Sequence, residues 1–289
     1  MPKTYNDLYL ATRTALKNAG VEAYALEARL LVAYAVGKTK EEFVRDLRLY
    51  TSDENEQKIA ALLQRRIAGE PLAYLIGEWE FHGLPIVVTP DVLIPRMDTE
   101  VLVDAALRVL VGRKMNARIL DLCSGSGCIG LAVAAQAQQA RVVLGEWSDG
   151  ALRICRQNIR RNSLTGRVVP MRADAREKPE KSLGEFQCIV SNPPYIPSGD
   201  IAGLDVSVKD YEPHLALDGG RDGLDFYRSI SEKWKEALVP GGRLYFEVGI
   251  GQADSVLRIM RTQGFGDIQV VKDLRDVPRV VFGTLCTEI

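Results

Sequence analysis

Asn192-Pro193-Pro194-Tyr195 follows the apolar run Cys188-Ile189-Val190 in a chain of 289 residues. Two consecutive prolines cannot continue a strand, and they remove two backbone donors. The strand must end there in a stiff corner poor in N–H groups. Asn192 brings a carboxamide with an acceptor oxygen and two donor hydrogens. Pro193 leaves a free carbonyl acceptor on a rigid frame, Pro194 extends that frame, and Tyr195 offers a flat apolar face. Two acceptors and a flat face fit a planar NH2 group, either an amide or an aromatic amine, and the prolines fix them before anything binds. An amide nitrogen is a poor nucleophile, because its lone pair is delocalised. Holding both its hydrogens favours pyramidalisation and aims the lone pair, and the same acceptors stabilise positive charge as it forms. No side chain has to remove a proton first. His214, in Asp-Tyr-Glu-Pro-His, reads as a loop residue with a structural role.

A second group of residues could hold the electrophile. In Leu-Asp-Leu-Cys-Ser-Gly-Ser-Gly-Cys-Ile-Gly, residues Gly125, Gly127 and Gly130 satisfy the dinucleotide spacing G-x-G-x-x-G. A tight strand-to-helix turn would ask for glycines on geometry alone. Glu146 ends the next apolar run about 20 residues on, where an acid accepts from ribose hydroxyls. Together they point to an adenosine-containing cofactor. Asp121 then separates NAD from S-adenosylmethionine. A carboxylate just before the glycines repels a pyrophosphate but suits an ammonium and a sulfonium. Asp121, Cys123, Ser124, Gly125, Ser126, Gly127 and Glu146 are therefore the expected cofactor residues, with Asn192 beside them. The alternative for Asp121 is a turn residue or helix cap. Asp174, in Met-Arg-Ala-Asp, would accept from an adenine amino group or simply end a strand in solvent. Asp121, Glu146, Asp174 and Asn192 all fall at strand C-termini, where ligands gather in open α/β sheets.

The elements that position these residues are legible from periodicity. Residues 4 to about 75 carry helical spacing, with Gly20, Gly37 and Gly69 as stop signals and a Thr39–Glu42 capping box. From Glu70 to Pro95, Gly and Pro breakers separate short β-rich pieces, which predicts a hairpin. From Asp98 onward apolar strands alternate with helices, so the expected class is α/β with a parallel sheet covered on both faces. The last two strands have no room for a helix between them and should pair antiparallel. The expected domains are a helical one over 1–75 for substrate docking, a hairpin linker over 76–97 and a catalytic domain over 98–289.

Composition narrows the function. The chain has 37 Lys and Arg against 38 Asp and Glu, which weighs against a nucleic-acid backbone as the main ligand. Arg153, Arg156, Arg160, Arg161 and Arg167 form a local basic stretch, read either as a solvated helix face or as a docking site for an acidic partner. Five cysteines without a C-x-x-C pair and two distant histidines argue for reduced thiols and against a metal site. No apolar run spans a bilayer and the N-terminus lacks a signal-peptide layout, so a cytoplasmic protein is expected.

Several stretches together resemble one family. Glu-Phe-His-Gly-Leu-Pro-Ile-Val-Val, Leu-Ile-Pro-Arg, the glycine loop, Asn-Pro-Pro-Tyr, Glu-Pro-His-Leu-Ala-Leu-Asp-Gly-Gly-Arg-Asp-Gly-Leu-Asp-Phe-Tyr-Arg and Leu-Val-Pro-Gly-Gly-Arg-Leu-Tyr-Phe-Glu-Val-Gly are similar to the protein-(glutamine-N5) methyltransferases of the HemK/PrmC family. The likeness runs from about Glu70 to the end. It implies a class I methyltransferase fold: a seven-stranded, mostly parallel sheet whose last strand is antiparallel, with a small helical N-terminal domain and a hairpin linker. It implies S-adenosyl-L-methionine as methyl donor and S-adenosyl-L-homocysteine as product; no metal and a monomer are expected besides. It implies as substrate the glutamine of the Gly-Gly-Gln motif in class I peptide chain release factors. The cofactor loop falls on Cys123 to Gly127, the ribose acid on Glu146 and the substrate motif on Asn192 to Tyr195. This chain departs from the family at Cys123, usually glycine, at Ser124, usually threonine, at Glu146, usually aspartate, and at Asp98, commonly glutamate. Asn-Pro-Pro-Tyr is shared with amino-directed DNA and RNA methyltransferases, which makes adenine N6 or guanine N2 the competing target. A non-catalytic adenosine-binding scaffold is disfavoured by the complete motif beside an intact glycine loop.

Overall fold

A computed structural model describes residues 3–110 and 116–286. They form two compact units, one running through Gly77 and joined by Val206–Tyr211, the other comprising Glu78–Asp205 and Glu212 onward. The first unit is helical. Its helices are α1 (Tyr5–Asn18), α2 (Tyr24–Ala35), α3 (Lys40–Arg45), α4 (Asp53–Ile67) and α5 (Leu72–Ile76). Capping boxes open α1 at Thr4 and α3 at Thr39, and Ser52 caps α4. Leu16, Leu31, Val32 and Phe43 form its fully buried centre. Val206–Tyr211, expected within the catalytic domain, instead packs here. The Tyr211 hydroxyl donates to the Ala68 carbonyl at 3.3 Å.

The second unit begins with the hairpin β1 (Glu78–Phe81) and β2 (Leu84–Val87), paired antiparallel. It packs on this unit instead of standing as a separate linker. Asn158, fully buried in a later helix, accepts from Val87 N at 2.7 Å and donates to the carbonyls of Val87 and Ser126, both at 3.0 Å. Each such bond contributes about 1 kcal/mol net, and losing the buried carboxamide would leave three backbone groups unsatisfied.

After α6 (Glu100–Leu110) come β3 (Arg118–Leu122), α7 (Cys128–Gln136), β4 (Arg141–Glu146), α8 (Asp149–Arg161), β5 (Val168–Arg172) and β6 (Phe186–Ser191). The short α9 (Val206–Lys209) belongs to the first unit. Then follow α10 (Asp225–Lys233), β7 (Leu238–Glu247), α11 (Ala253–Thr262), β8 (Phe265–Lys272) and β9 (Pro278–Leu285). The seven-stranded sheet has the order β5-β4-β3-β6-β7-β9-β8. Its strands pair in parallel from β5 to β7, and β9 inserts antiparallel between β7 and β8. The central strands read as continuous apolar runs because helices cover both faces. Tyr227, Trp234, Phe246 and Met260 fill the layer between α10, α11 and the sheet. The order reverses between β3 and β6, so their C-terminal ends open a crevice.

Candidate active site

The crevice is lined by Cys123, Ser124, Gly125, Ser126, Glu146, Asp174, Asn192 and Pro194 from the sequence-predicted set, together with Thr99, Trp147 and Phe226. Asp121, Gly127, Pro193 and Tyr195 do not line it. Eight of the twelve expected residues thus meet in one cavity, and four lie outside its lining.

The glycine loop is built from the strand outward. Gly127 sits at φ +81° as the N-cap of α7, and a Cβ there would meet Leu144 Cδ1 at 2.8 Å. Only glycine lets the helix start this close to β4. Glu146 shapes the loop from the neighbouring strand. Its two oxygens accept from Gly125 N and Ser148 N, each at 2.8 Å, and leave lone pairs for an incoming hydroxyl. Burial pushes Glu146 above its ordinary value, against the pull of those amides. Cys123 holds φ +62°, a left-handed conformation that favours glycine.

Asp121 departs from the expected direct contact. It is fully buried, and its Oδ2 accepts from Gly130 N at 2.8 Å. Its carboxylate therefore ties the strand to the helix beneath the loop. The second oxygen, Oδ1, has no hydrogen-bond partner, nor does the buried Ser126 hydroxyl. Ser126 lines the cavity, and an unpartnered hydroxyl there fits a ligand that brings its own polar groups. Asp174 lines the cavity at 15% side-chain exposure and is paired with Arg176 through two contacts of 3.0 and 3.1 Å. It is not the solvated strand end that was one option. Burial alone would raise it, but the Arg176 hydrogen bonds and charge hold its carboxyl below the usual range.

The proline corner is clamped by residues whose role the sequence did not disclose. Ile196 N donates to Leu217 O at 3.0 Å, Gly219 N to Ile196 O at 2.8 Å, and Gln252 Nε2 to Tyr195 O at 2.9 Å. Tyr195 turns its half-buried ring against the core cluster, so it does not present the expected stacking face to the cavity. Burial pushes its hydroxyl up to about 12. Arg96, which ends Leu-Ile-Pro-Arg, pairs with the buried Glu212, which also accepts from Ile94 N at 3.1 Å. That pair joins two of the resemblance motifs. His214 is exposed and does not line the cavity.

The basic stretch divides. Arg167 donates to the Ala134 carbonyl at 2.6 Å and so caps the end of α7. Arg153 and Arg161 pair with Asp91 and Glu78, while Arg156 and Arg160 stand exposed on α8. Glu247 and Thr99, to which the sequence assigns no role, are both about 2% exposed beside Asn192. Glu247 ends β7 in Tyr-Phe-Glu-Val-Gly. The strand-end rule that picked out the other acids would have found it.

The buried acids predict a pH response. Burial, helped by the charge of Glu146 and opposed by the Gly130 amide, pushes Asp121 from 3.8 up to about 7. Burial also pushes Glu247 from 4.5 up to about 7, against Thr99, Arg279 and Asn192. Folded values above the unfolded ones mean that the folded protein binds more protons between about pH 4 and 7, so stability falls as pH rises through that window. Asp218 and Asp222 are shifted down by hydrogen bonds from Ser198 and Arg228, and they act only below about pH 4. The urea midpoint should therefore drop between about pH 5 and 7 and level off above that, and Asp121→Asn should flatten the slope. A midpoint climbing with pH would contradict this assignment.

A sheet of this order, with a glycine loop after its central strand and a cavity over the strand ends, defines a class I methyltransferase. The family model of the PrmC N-terminal domain matches residues 7–77, and that of the methyltransferase small domain matches residues 98–205. The chain is 43% identical over 282 residues to the release factor glutamine methyltransferase of Geobacter sulfurreducens, covering 95% of this chain and 94% of that one. It is 39% identical over 275 residues to the protein of the same name from Agrobacterium fabrum, covering 94% of each. The chain belongs to the release factor glutamine methyltransferase family. A methyltransferase from Pyrococcus furiosus shares the fold, with a TM-score of 0.51 over 80% of this chain and 99% of that chain at 16% identity. Among the described residues no helix is long and apolar enough to cross a membrane.

Proposed function

We propose that the chain transfers a methyl group from S-adenosyl-L-methionine to the side-chain amide nitrogen of the glutamine in the Gly-Gly-Gln motif of class I peptide chain release factors, in the cytoplasm. The observation that carries this reading is the convergence of Asn192 and the Glu146-braced glycine loop on one cavity. The names of the relatives select a protein glutamine over a base. When bound, S-adenosylmethionine supplies an electrophilic methyl group. Glu146 and Asp174 would accept from its hydroxyl and amino donors, and Cys123 to Gly127 would cradle it. Asp121 would act from below, through its free Oδ1 and the tie to Gly130. The Asn192 oxygen and the Pro193 carbonyl would hold the two amide hydrogens of the glutamine, and Tyr195 would keep the corner in place. Positioning of this kind supplies much of the acceleration of an in-line transfer. The helical unit would dock the release factor, and the hairpin would belong with the catalytic part.

The test is transfer of labelled methyl from S-adenosylmethionine. A release factor should take up label, while its Gln→Ala variant in the Gly-Gly-Gln motif, DNA and RNA should stay unlabelled. Label on nucleic acid with none on the factor would reverse the assignment.

A further inference from the structure

Asn192 can face a substrate with either end of its carboxamide, and only one end is useful. To hold an NH2 group it must show its oxygen, so its own NH2 must be engaged elsewhere. The residues behind it are suited to that. In the parallel β6–β7 pair Ser191 stands opposite Phe246, which sets Glu247 beside Asn192 one step further on. Asn192 Nδ2 donates to the Thr99 hydroxyl at 3.4 Å. Thr99 lies at the end of a short 3-10 turn, Met97–Thr99, and is 2% exposed. Glu247 is equally buried, does not line the cavity, and leaves its Oε2 without a hydrogen-bond partner. The nearby cation Arg279 is held by Asp98 at 2.7 Å and Asp273 at 3.1 Å, so it does not neutralise Glu247 by direct pairing. A buried carboxylate without its own cation or a full set of donors is costly and needs a function to explain it.

We propose that Glu247, with Thr99, is the positioning pair for Asn192: an acceptor-only carboxylate behind the amide fixes its NH2 end inward and its oxygen toward the glutamine. This rests on the amide-transfer reading above. Replacing the carboxylate by a carboxamide of the same shape would exchange one acceptor for a donor, so that Asn192 is no longer held in one orientation and can turn over. The burial of Glu247 strengthens the effect, because the interaction operates away from water.

The experiment compares wild-type protein, Glu247→Gln, Asn192→Ala and the double variant, with a release factor as acceptor. Single-turnover transfer, KM for the factor, cofactor Kd and melting temperature are all measured. Glu247→Gln should slow transfer about 30-fold or more, with KM and cofactor Kd within about twofold of wild type and no loss of melting temperature. In the Asn192→Ala background the same change should cost nothing further, since its target is gone. Thr99→Val should slow transfer about tenfold and combine less than multiplicatively with Glu247→Gln. Transfer by Glu247→Gln within threefold of wild type overturns the inference. So does a parallel loss of cofactor binding, which would mark a structural role, or a full further loss in the Asn192→Ala background. A wild-type protein that labels no release factor overturns the amide-transfer reading itself, a result separate from any of these.

Discussion

Asn192→Ala is expected to slow methyl transfer by about three orders of magnitude while the cofactor Kd changes by less than about threefold. Loss of one preorganised polar group at a reacting centre costs roughly 10²–10³ in rate, and loss of alignment adds to it. Asn192 lines the cavity at the end of β6, whereas Glu146 and the loop amides that shape the cofactor region lie across the crevice on β3, α7 and β4. The two functions therefore separate in space. Single-turnover transfer and calorimetric titration with S-adenosylmethionine measure them independently. Equal losses in both would mean that Asn192 mainly holds the cofactor.

The second large effect comes from a residue that neither lines the cavity nor carries a functional group. Gly223 holds φ +73°, and a Cβ there would overlap the Tyr195 carbonyl oxygen and lie 2.7 Å from Gln252 Nε2. Gly219 is similarly tight, with a Cβ position 2.7 Å from Tyr195 Cα and 2.8 Å from the Pro194 oxygen. These neighbours are mostly backbone, which cannot rotate aside. Gly223→Ala should cost about 2–4 kcal/mol, combining a left-handed alanine with overpacking. It should also lower kcat at least tenfold by shifting the corner, although Asn192 is intact. Urea unfolding and transfer rate report the two parts. A variant that loses stability but transfers at the wild-type rate would show that the loop yields without moving Tyr195.

Much of this was open to reading in the chain, for identifiable reasons. The strands β3, β4 and β6 are short apolar runs ended by Gly, Asp or Pro, and their ends carry the acids and the corner. Helix stops at Gly20 and Gly37 and the box at Thr39 are local signals that tertiary context did not override. What escaped reading was long-range. The Glu212–Arg96 pair spans 116 residues, and the clamp of Gln252 on Tyr195 spans 57. Neither leaves a periodic trace. Tyr195 is expected to show an open face because its type permits one, but its side chain packs against the core cluster. Asp121 is expected at the ligand because a carboxylate before the glycines suits an ammonium and a sulfonium, and here burial and the Gly130 amide keep it below the loop.

Asn158 carries a consequence for dividing the protein. It bonds the hairpin and the glycine loop at once, so the smallest autonomous catalytic piece is set by this carboxamide and not by the first strand of the large sheet. A chain cut at Asp98 would keep every residue of the cavity from Thr99 onward yet free two of Asn158's three partner groups, which both belong to Val87. The useful boundary for grafting or for exchanging the helical unit among relatives is Gly77, whose left-handed turn ends α5 before the hairpin begins.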